Sequence, residues 1–279
     1  MITGIDHIAI QVRDLDSTVA HYETIFGRAP NWRGGMTGVR QVWFQFQNAA
    51  LDIIAADGDS PAAQRVRADI DKFGEGLWGL GLTVPKLDEA VHRFARRGLE
   101  FLPAHTTMTQ EISGKERRWE IAMMKRRSGN GVSLFLVEHA PWPNSPAHVP
   151  DDQSVAALDH IVVATENPER AVTLYGGRLG LDLRLDRVNE QWGARQLFFR
   201  TGDAVVEVGA NLKNPVSDAP DKFGGLAWRV KDPAAAHARI AAAGIDVSEL
   251  RKGRKPGTQV FTVREGTGGV PTLMLAGNN

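Results

Sequence analysis

Two histidines sit in the same short sequence, 153 residues apart. Ile5-Asp6-His7-Ile8 recurs as Leu158-Asp159-His160-Ile161, each at the same point of an apolar, strand-like run. An imidazole there can ligate a metal, act as a general base, or be a strand-start side chain satisfied by backbone. Glu207 lies between Val206 and Val208 in the run 204–208. A carboxylate on a buried strand face needs a partner, because burying an unpaired charge is very costly. A metal, an arginine such as Arg195, or solvent at a sheet edge would each supply one. Other chemistry is excluded or weak. There are no cysteines, so thiolate ligands, cysteine nucleophiles and disulfides are absent. No serine stands on a recognisable nucleophile elbow. The glycines of 266–269 lack a phosphate-loop context and read as a hairpin turn.

The elements that must position these groups repeat along the chain. Each half holds two units of strand, helix, then about three strands. In the first unit a strand covers 5–12. Asp14 caps a helix to Phe26, Gly27 stops it, and strands at 41–46 and 50–55 follow. The second unit has a strand at 77–84, a helix at 87–97 stopped by Gly98, and strands at 119–124 and 132–136. The third has a strand at 158–164, and Asn167-Pro168 starts a helix to Leu179, stopped by Gly180. Its hairpin joins 196–200 to 204–208. The fourth has a strand at 226–230, a helix from Asp232-Pro233 to Ala243, and strands at 260–263 and 272–275. A second match, Asp71-Lys72-Phe73-Gly74 with Asp221-Lys222-Phe223-Gly224, is shifted by 150 and supports a duplicated half. The four prolines between 141 and 150 mark a linker. Ser60-Pro61 starts an extra helix to about Ile70, whereas its counterpart at 211–220 reads as a loop. These two insertions differ most between the halves, which makes them lid candidates.

With 279 residues the chain is most simply two domains. Thirty-three basic residues balance thirty-three acidic ones, so no global field favours nucleic acid or an anionic membrane. No signal sequence or apolar run of spanning length is present, and the reading is a cytoplasmic protein.

The pattern resembles the vicinal oxygen chelate (VOC) superfamily of glyoxalase, bleomycin-resistance and extradiol-dioxygenase type proteins. The likeness rests on "GIDHIAIQVRDLD" and "ALDHIVVATENPERA" at unit starts, and on "LDII" and "VVEV" at the ends of units one and three. It implies an α+β fold of four βαβββ modules in two tandem domains, each a curved mixed sheet around a cup with helices outside. The domains are 1–140 (modules 1–57 and 76–140) and 156–279 (modules 156–210 and 224–279), with 141–155 as linker. Carried over position by position, His7, His160, Glu207 and Asp52 become metal ligands, with a two-residue ambiguity between Asp52 and Ile54. The cofactor would be a divalent Fe, Mn, Zn or Ni, or none. The even modules depart from the pattern, with Gly79 and Gly225 at the first-strand positions. Ser133 or Phe135, and Leu273 or Met274, hold the last-strand ones. A third ligand would have to come from His105, Glu120, Glu138 or His139. Alternatively modules one and three share a cup, although the family usually pairs one with two and three with four.

Gln41, Trp43 and Gln45 share a strand face and can wall a polar aromatic ligand. Arg195 and Trp228 are further substrate-binding candidates, and Trp119 and Trp192 can line cups. His21, His92 and His237 fall on outer helix faces, and His148 falls in the linker. Three functions follow. The first is a metalloenzyme acting on a small carbonyl, enol or phenolic substrate by dioxygenase, isomerase or lyase chemistry, with His160, Glu207 and His7 catalytic. The second is a metal-free enzyme using a histidine and a carboxylate as acid and base. The third is a non-catalytic small-molecule binder of the resistance type. The partner is a small molecule, not nucleic acid or membrane, and the chain is a monomer or homodimer.

Overall fold

A computed structural model describes residues 1–111, 113–139, 154–253 and 257–276. The first half runs β1 (Gly4–Gln11), α1 (Leu15–Phe26), β2 (Trp32–Met36), β3 (Val39–Gln45), β4 (Ala50–Ala56) and α2 (Pro61–Phe73). It continues with β5 (Gly76–Thr83), α3 (Leu87–Ala95), β6 (His105–Glu111), β7 (Glu116–Met123) and β8 (Ser133–His139). The second half runs β9 (Val155–Thr165), α4 (Pro168–Ala171), β10 (Asp182–Asn189), β11 (Ala194–Thr201) and β12 (Ala204–Asn211). After these come β13 (Lys222–Val230), α5 (Pro233–Ala242), β14 (Arg251–Lys252), β15 (Gln259–Val263) and β16 (Thr272–Ala276). Residues 141–153 of the expected linker, with His148, lie outside the described residues, and Val155 already opens β9.

Local sequence sets the helices. Asp14 accepts a hydrogen bond from the Ser17 backbone at the start of α1, and Gly27 ends it in the left-handed region at φ 70°. Leu15, Val19, Tyr22 and Phe26 then form one buried stripe at helical spacing. Ser60 caps α2 and Pro61 fills its first turn. The helix expected from Asn167 to Leu179 is different. After one α-turn it widens into a π-helix over Val172–Arg178. The adjacent Gly176 and Gly177, poor helix formers, lie inside the widened turns.

The eight strands of the first half close into a barrel, in the order β1-β4-β3-β2-β6-β7-β8-β5. Those of the second half form an open sheet, β10-β11-β12-β9-β13-β16-β15-β14. In each half the first strands of the two modules pair antiparallel, β1 with β5 and β9 with β13. Module one therefore shares its sheet with module two, and three with four. The alternative in which modules one and three build one cup does not occur.

The 153-residue shift is a structural repeat. His7 stands opposite Ala50 and His160 opposite Val205, while Ala9 faces Asp52 and Val162 faces Glu207. The tetrapeptide repeat is not. Gly79, opposite Ala9, matches Gly225, opposite Val162, a shift of 146. Asp71–Gly74 therefore closes α2, whereas Asp221–Gly224 leads into β13, four residues out of register.

α1, α3, α4 and α5 pack into the core on the outer faces of the sheets, whereas α2 lies on inner-face residues of the first barrel, and α1 is held between the halves. Trp228 is fully buried there, with its ring 5.0 Å from Phe26 and 4.7 Å from Phe46. The Tyr22 hydroxyl donates to the Thr267 carbonyl at 2.9 Å, and Arg239 donates to the Thr24 carbonyl. Asn48, in the β3–β4 turn, exchanges hydrogen bonds with the Leu158 backbone at 2.8 and 2.9 Å. One apolar core runs through both halves. No helix among the described residues is long and apolar enough to cross a membrane.

Candidate functional site

Strand alternation puts His7, Asp52, Gln41 and Trp43 on the inner face of the first barrel, and Ile8, Leu51, Val42 and Phe44 in the core on the outer face. In the second half His160, Glu207, Gln196 and Phe198 take the matching inner positions. Register removes the ambiguity in module one. Asp52 is the counterpart of Glu207, and Ile54 is that of Gly209. A glutamine accompanies each acid. Gln41 donates through its side-chain amide to Asp52 at 2.9 Å, and Gln196 donates to Glu207 at 2.6 Å. Each histidine leans on the aspartate before it. His7 Nδ1 lies 2.5 Å from Asp6 and His160 Nδ1 lies 2.8 Å from Asp159. The duplicated unit is therefore four residues, Asp-His with a glutamine-held acid. The roles of Asp6, Asp159 and Gln196 were not read from the sequence, although the aspartates stand in both copies of the repeated tetrapeptide.

The two copies differ in what surrounds them. In the first barrel His7 is 4% exposed, with its ring 4.6 Å from Trp43 and 5.1 Å from Phe135. Trp32, Trp43, Trp119, Phe135 and Val137 pack together across the interior. The Arg117 guanidinium lies over Trp43 at 4.1 Å and within 6 Å of Trp32 and Trp119. Val66 and Ile70 of α2 pack on Ala9, Val39 and Ile54 and cover the barrel. Asp52 is sealed in. Burial pushes its carboxyl up to about 8, although Arg117 and the Gln41 amide favour the charged form. Asp6 goes the other way. Burial works to raise its pKa, but the hydrogen bonds of His139 (2.6 Å) and His7 outweigh this and hold it well below the carboxylate range. His7, Asp6 and His139 are thus linked in one network centred on the Asp6 carboxylate.

In the second half Phe198 replaces Trp43 and Leu273 replaces Phe135 at matching register. The segment 211–220 forms no helix over the sheet. The inner face stays partly open, and the side chains of His160 and Glu207 are 17% and 13% exposed. His160 Nε2 lies 3.4 Å from Glu207 Oε2. The far side of each group is anchored. Asp159 holds Nδ1, and Gln196 holds the other carboxylate oxygen while its own carbonyl accepts two bonds from Arg187 at 2.8 and 3.1 Å.

Several expected site residues lie elsewhere. Arg195 shares the outer face with Leu197 and pairs with Asp186 and Glu169, so it is not Glu207's partner. Trp228 is core between the halves, not a cup wall. Gln45 donates to the Phe46 and Ala49 carbonyls and holds the β3–β4 turn. His105 is exposed beside the Pro103 carbonyl, Glu120 accepts from Thr106, and Glu138 accepts from the Leu87 backbone at the start of α3.

A sequence profile described as Glyoxalase/Bleomycin resistance protein/Dioxygenase superfamily matches residues 6–111 and 159–262. The chain belongs to this superfamily. The two matched stretches coincide with the structural repeat, and the VOC fold expected from the unit starts is the one observed. A mutant of 4-hydroxymandelate synthase from Streptomyces coelicolor is similar with a TM-score of 0.73 at 12% identity, over 100% of this chain and 94% of that one. A Mn(II)-bound glyoxalase from Novosphingobium aromaticivorans gives 0.67 at 15% identity, over 99% and 82%. A hypothetical protein from Staphylococcus aureus gives 0.66 at 8%, over 97% and 98%. At these identities the likeness is one of fold. No curated protein matches the sequence.

A divalent metal such as that relative's manganese calls for about three protein ligands. In each half of this VOC chain the odd module offers one imidazole and one glutamine-held carboxylate, its other acid, Asp6 or Asp159, being taken up at the histidine Nδ1. Gly79 and Gly225 hold the even first-strand positions, and Phe135 and Leu273 hold the last-strand ones. His7 and Asp52 stand in a different sheet from His160 and Glu207, so the four do not assemble. Among the described residues no group of three histidines or acids is arranged to hold a metal. The donor set does not fit a three-ligand centre.

Proposed function

We propose that the chain is an enzyme acting on a small oxygen-rich carbonyl, enol or phenolic compound in the open second-half cup, with His160 and Glu207 as a proton-transfer pair. The observation that carries this is the 3.4 Å approach of His160 Nε2 to Glu207 Oε2 on an accessible face, with each group anchored from behind. Asp159 at Nδ1 favours the tautomer whose Nε2 carries the free lone pair, which suits that nitrogen to accept a proton. Gln196 fixes one Glu207 oxygen and leaves the other toward the imidazole and the cup. A proton taken by His160 from a carbon beside a carbonyl can then be returned from the same pair to a neighbouring atom, which isomerises the substrate, or to the opposite face of the same carbon, which epimerises it. Neither outcome changes the overall oxidation state. Arg187, tied to Gln196, places a cation at the margin of the site.

The test is exchange of substrate protons into deuterated water across a panel of 2-oxoacids, hydroxy ketones and catechols. His160→Ala and Glu207→Gln are each expected to slow exchange about 10²- to 10⁴-fold. His7→Gln, in the sealed barrel, leaves the rate of the folded protein unchanged. Equal loss in the His7 variant, or full activity without His160, overturns the assignment.

A further inference from the structure

We infer that the cleft between the two halves is a second ligand site, built for a small organic anion with a flat apolar body. The cleft encloses about 960 Å³, within the usual range of ligand pockets. Both halves line it. The first contributes the end of α2 with Lys72 and Phe73, the start of β5 with Trp78, and the β7–β8 turn with Arg126 and Arg127. The second contributes Arg170 of α4 and the start of β13, with Lys222 and Phe223. The two copies of Asp-Lys-Phe-Gly, unrelated by register, converge here. Neither His160, Glu207 nor Gln196 borders it, so the inference does not rest on the proton-transfer pair.

Charge selects the ligand's sign. Two of the cations are already committed. Arg170 pairs with buried Asp221 at 2.7 Å and Arg127 pairs with Glu100. Of the lining acids, Asp221 is taken by Arg170 and Thr165, Asp69 accepts from the Trp78 indole, and Asp218 reaches Arg170 at 3.7 Å. Lys72, Arg126 and Lys222 have no carboxylate partner among the described residues, and Lys72 and Arg126 instead lie over the Phe73 ring at 5.1 and 4.5 Å. Arg126 also donates to the Gly131 carbonyl at 3.3 Å, which leaves its charge unneutralised. Three cations without a carboxylate partner, from two halves around one space, favour an anion through charge-assisted hydrogen bonds.

Shape selects the body. Phe73 is 55% exposed, with its ring in the wall beneath two cations. Trp78 and Phe223 add apolar surface from β5 and β13. A planar group stacked there puts an attached phosphate or carboxylate within reach of the cations. The cleft is also preformed. The Asp221 backbone donates to the Asn130 carbonyl across the halves at 2.8 Å. Pro220 packs so closely on Gly131 that a Cβ there would come within 2.5 Å of it.

The experiment is calorimetric titration of the full chain with 1-naphthyl phosphate and, separately, with inorganic phosphate. Wild type is expected to bind the aryl phosphate more tightly than phosphate alone. Lys72→Glu/Lys222→Glu is expected to weaken it about 100-fold, two charge-assisted contacts at about tenfold each. Phe73→Ala narrows the gap between the two probes, and His160→Ala binds as wild type does. Arg126→Ser, on an exposed turn, gives the same reading as the double variant should that variant fail to fold. No aryl phosphate binding by wild type, undiminished binding by the charge variants, or loss in His160→Ala would each overturn the site.

Discussion

Asp52 makes the stability of this chain depend on pH in a direction opposite to that of most carboxylates. Its side chain is enclosed by the first barrel, and burial raises its pKa from 3.8 to about 8. The folded state therefore keeps a proton that the unfolded chain releases. Below about pH 4 both states hold it and there is no effect. From there to about pH 8 the unfolded state is favoured by about 1.4 kcal/mol per pH unit, the cost of one retained proton. Above pH 8 both states are ionised and the loss is complete. Asp52→Asn keeps an amide near the charge-free shape and removes the titration. Between pH 5 and pH 7 the stability of wild type relative to Asp52→Asn should then fall by about 2.8 kcal/mol, two units at that slope. Urea unfolding of both proteins at pH 5, 6 and 7 measures it, and the difference cancels titrations elsewhere in the chain. A difference that stays constant with pH would mean that Asp52 is ionised in the folded barrel and paired with Arg117, and would refute the reasoning.

Other perturbations test the packing. Trp228→Ala removes the ring that joins Phe26 and Phe46 across the halves, and should destabilise by about 3–5 kcal/mol while both halves still unfold in one transition. Tryptophan fluorescence and far-ultraviolet circular dichroism that melt separately would contradict this. Arg170→Met leaves the fully buried Asp221 carboxylate without its cation and should cost about 3–5 kcal/mol in urea unfolding. An unchanged midpoint would show that Thr165 alone satisfies it. Gly81→Ala puts a Cβ 2.7 Å from the Phe135 ring and 3.2 Å from His7, and should cost about 1–3 kcal/mol through overpacking. No loss would mean that the first barrel is looser than its interior indicates.

The odd modules were legible because their signals are local. Capping residues, glycine stops and alternating strands follow from short-range sequence, and the Asp-His tetrapeptide fixed the 153-residue repeat. The second tetrapeptide misled because identity of four residues says nothing about register, which is set by strand pairing along β1–β5 and β9–β13. Arg195 and Trp228 were misplaced for a related reason. Alternation tells which residues share a face, and only the packed structure tells whether that face meets the cup, a helix or the other half. The glutamine-acid pairs were hidden because Gln41 and Asp52, like Gln196 and Glu207, meet across a hairpin at a diagonal. The difference between the sealed and open cups was partly visible in the extra helix from Ser60. The rest came from exchanges such as Trp43 for Phe198, whose effect depends on three tryptophans gathering from separate strands.

The central claim is that His160 and Glu207 work as a proton-transfer pair without a third metal-holding side chain. The most direct measurement is the rate of proton exchange into substrate by wild-type protein stripped with a chelator, with and without added manganese, iron, zinc or nickel. The account predicts the same rate in all cases, abolished by His160→Ala. Activity that vanishes on stripping and returns in proportion to bound metal would contradict it.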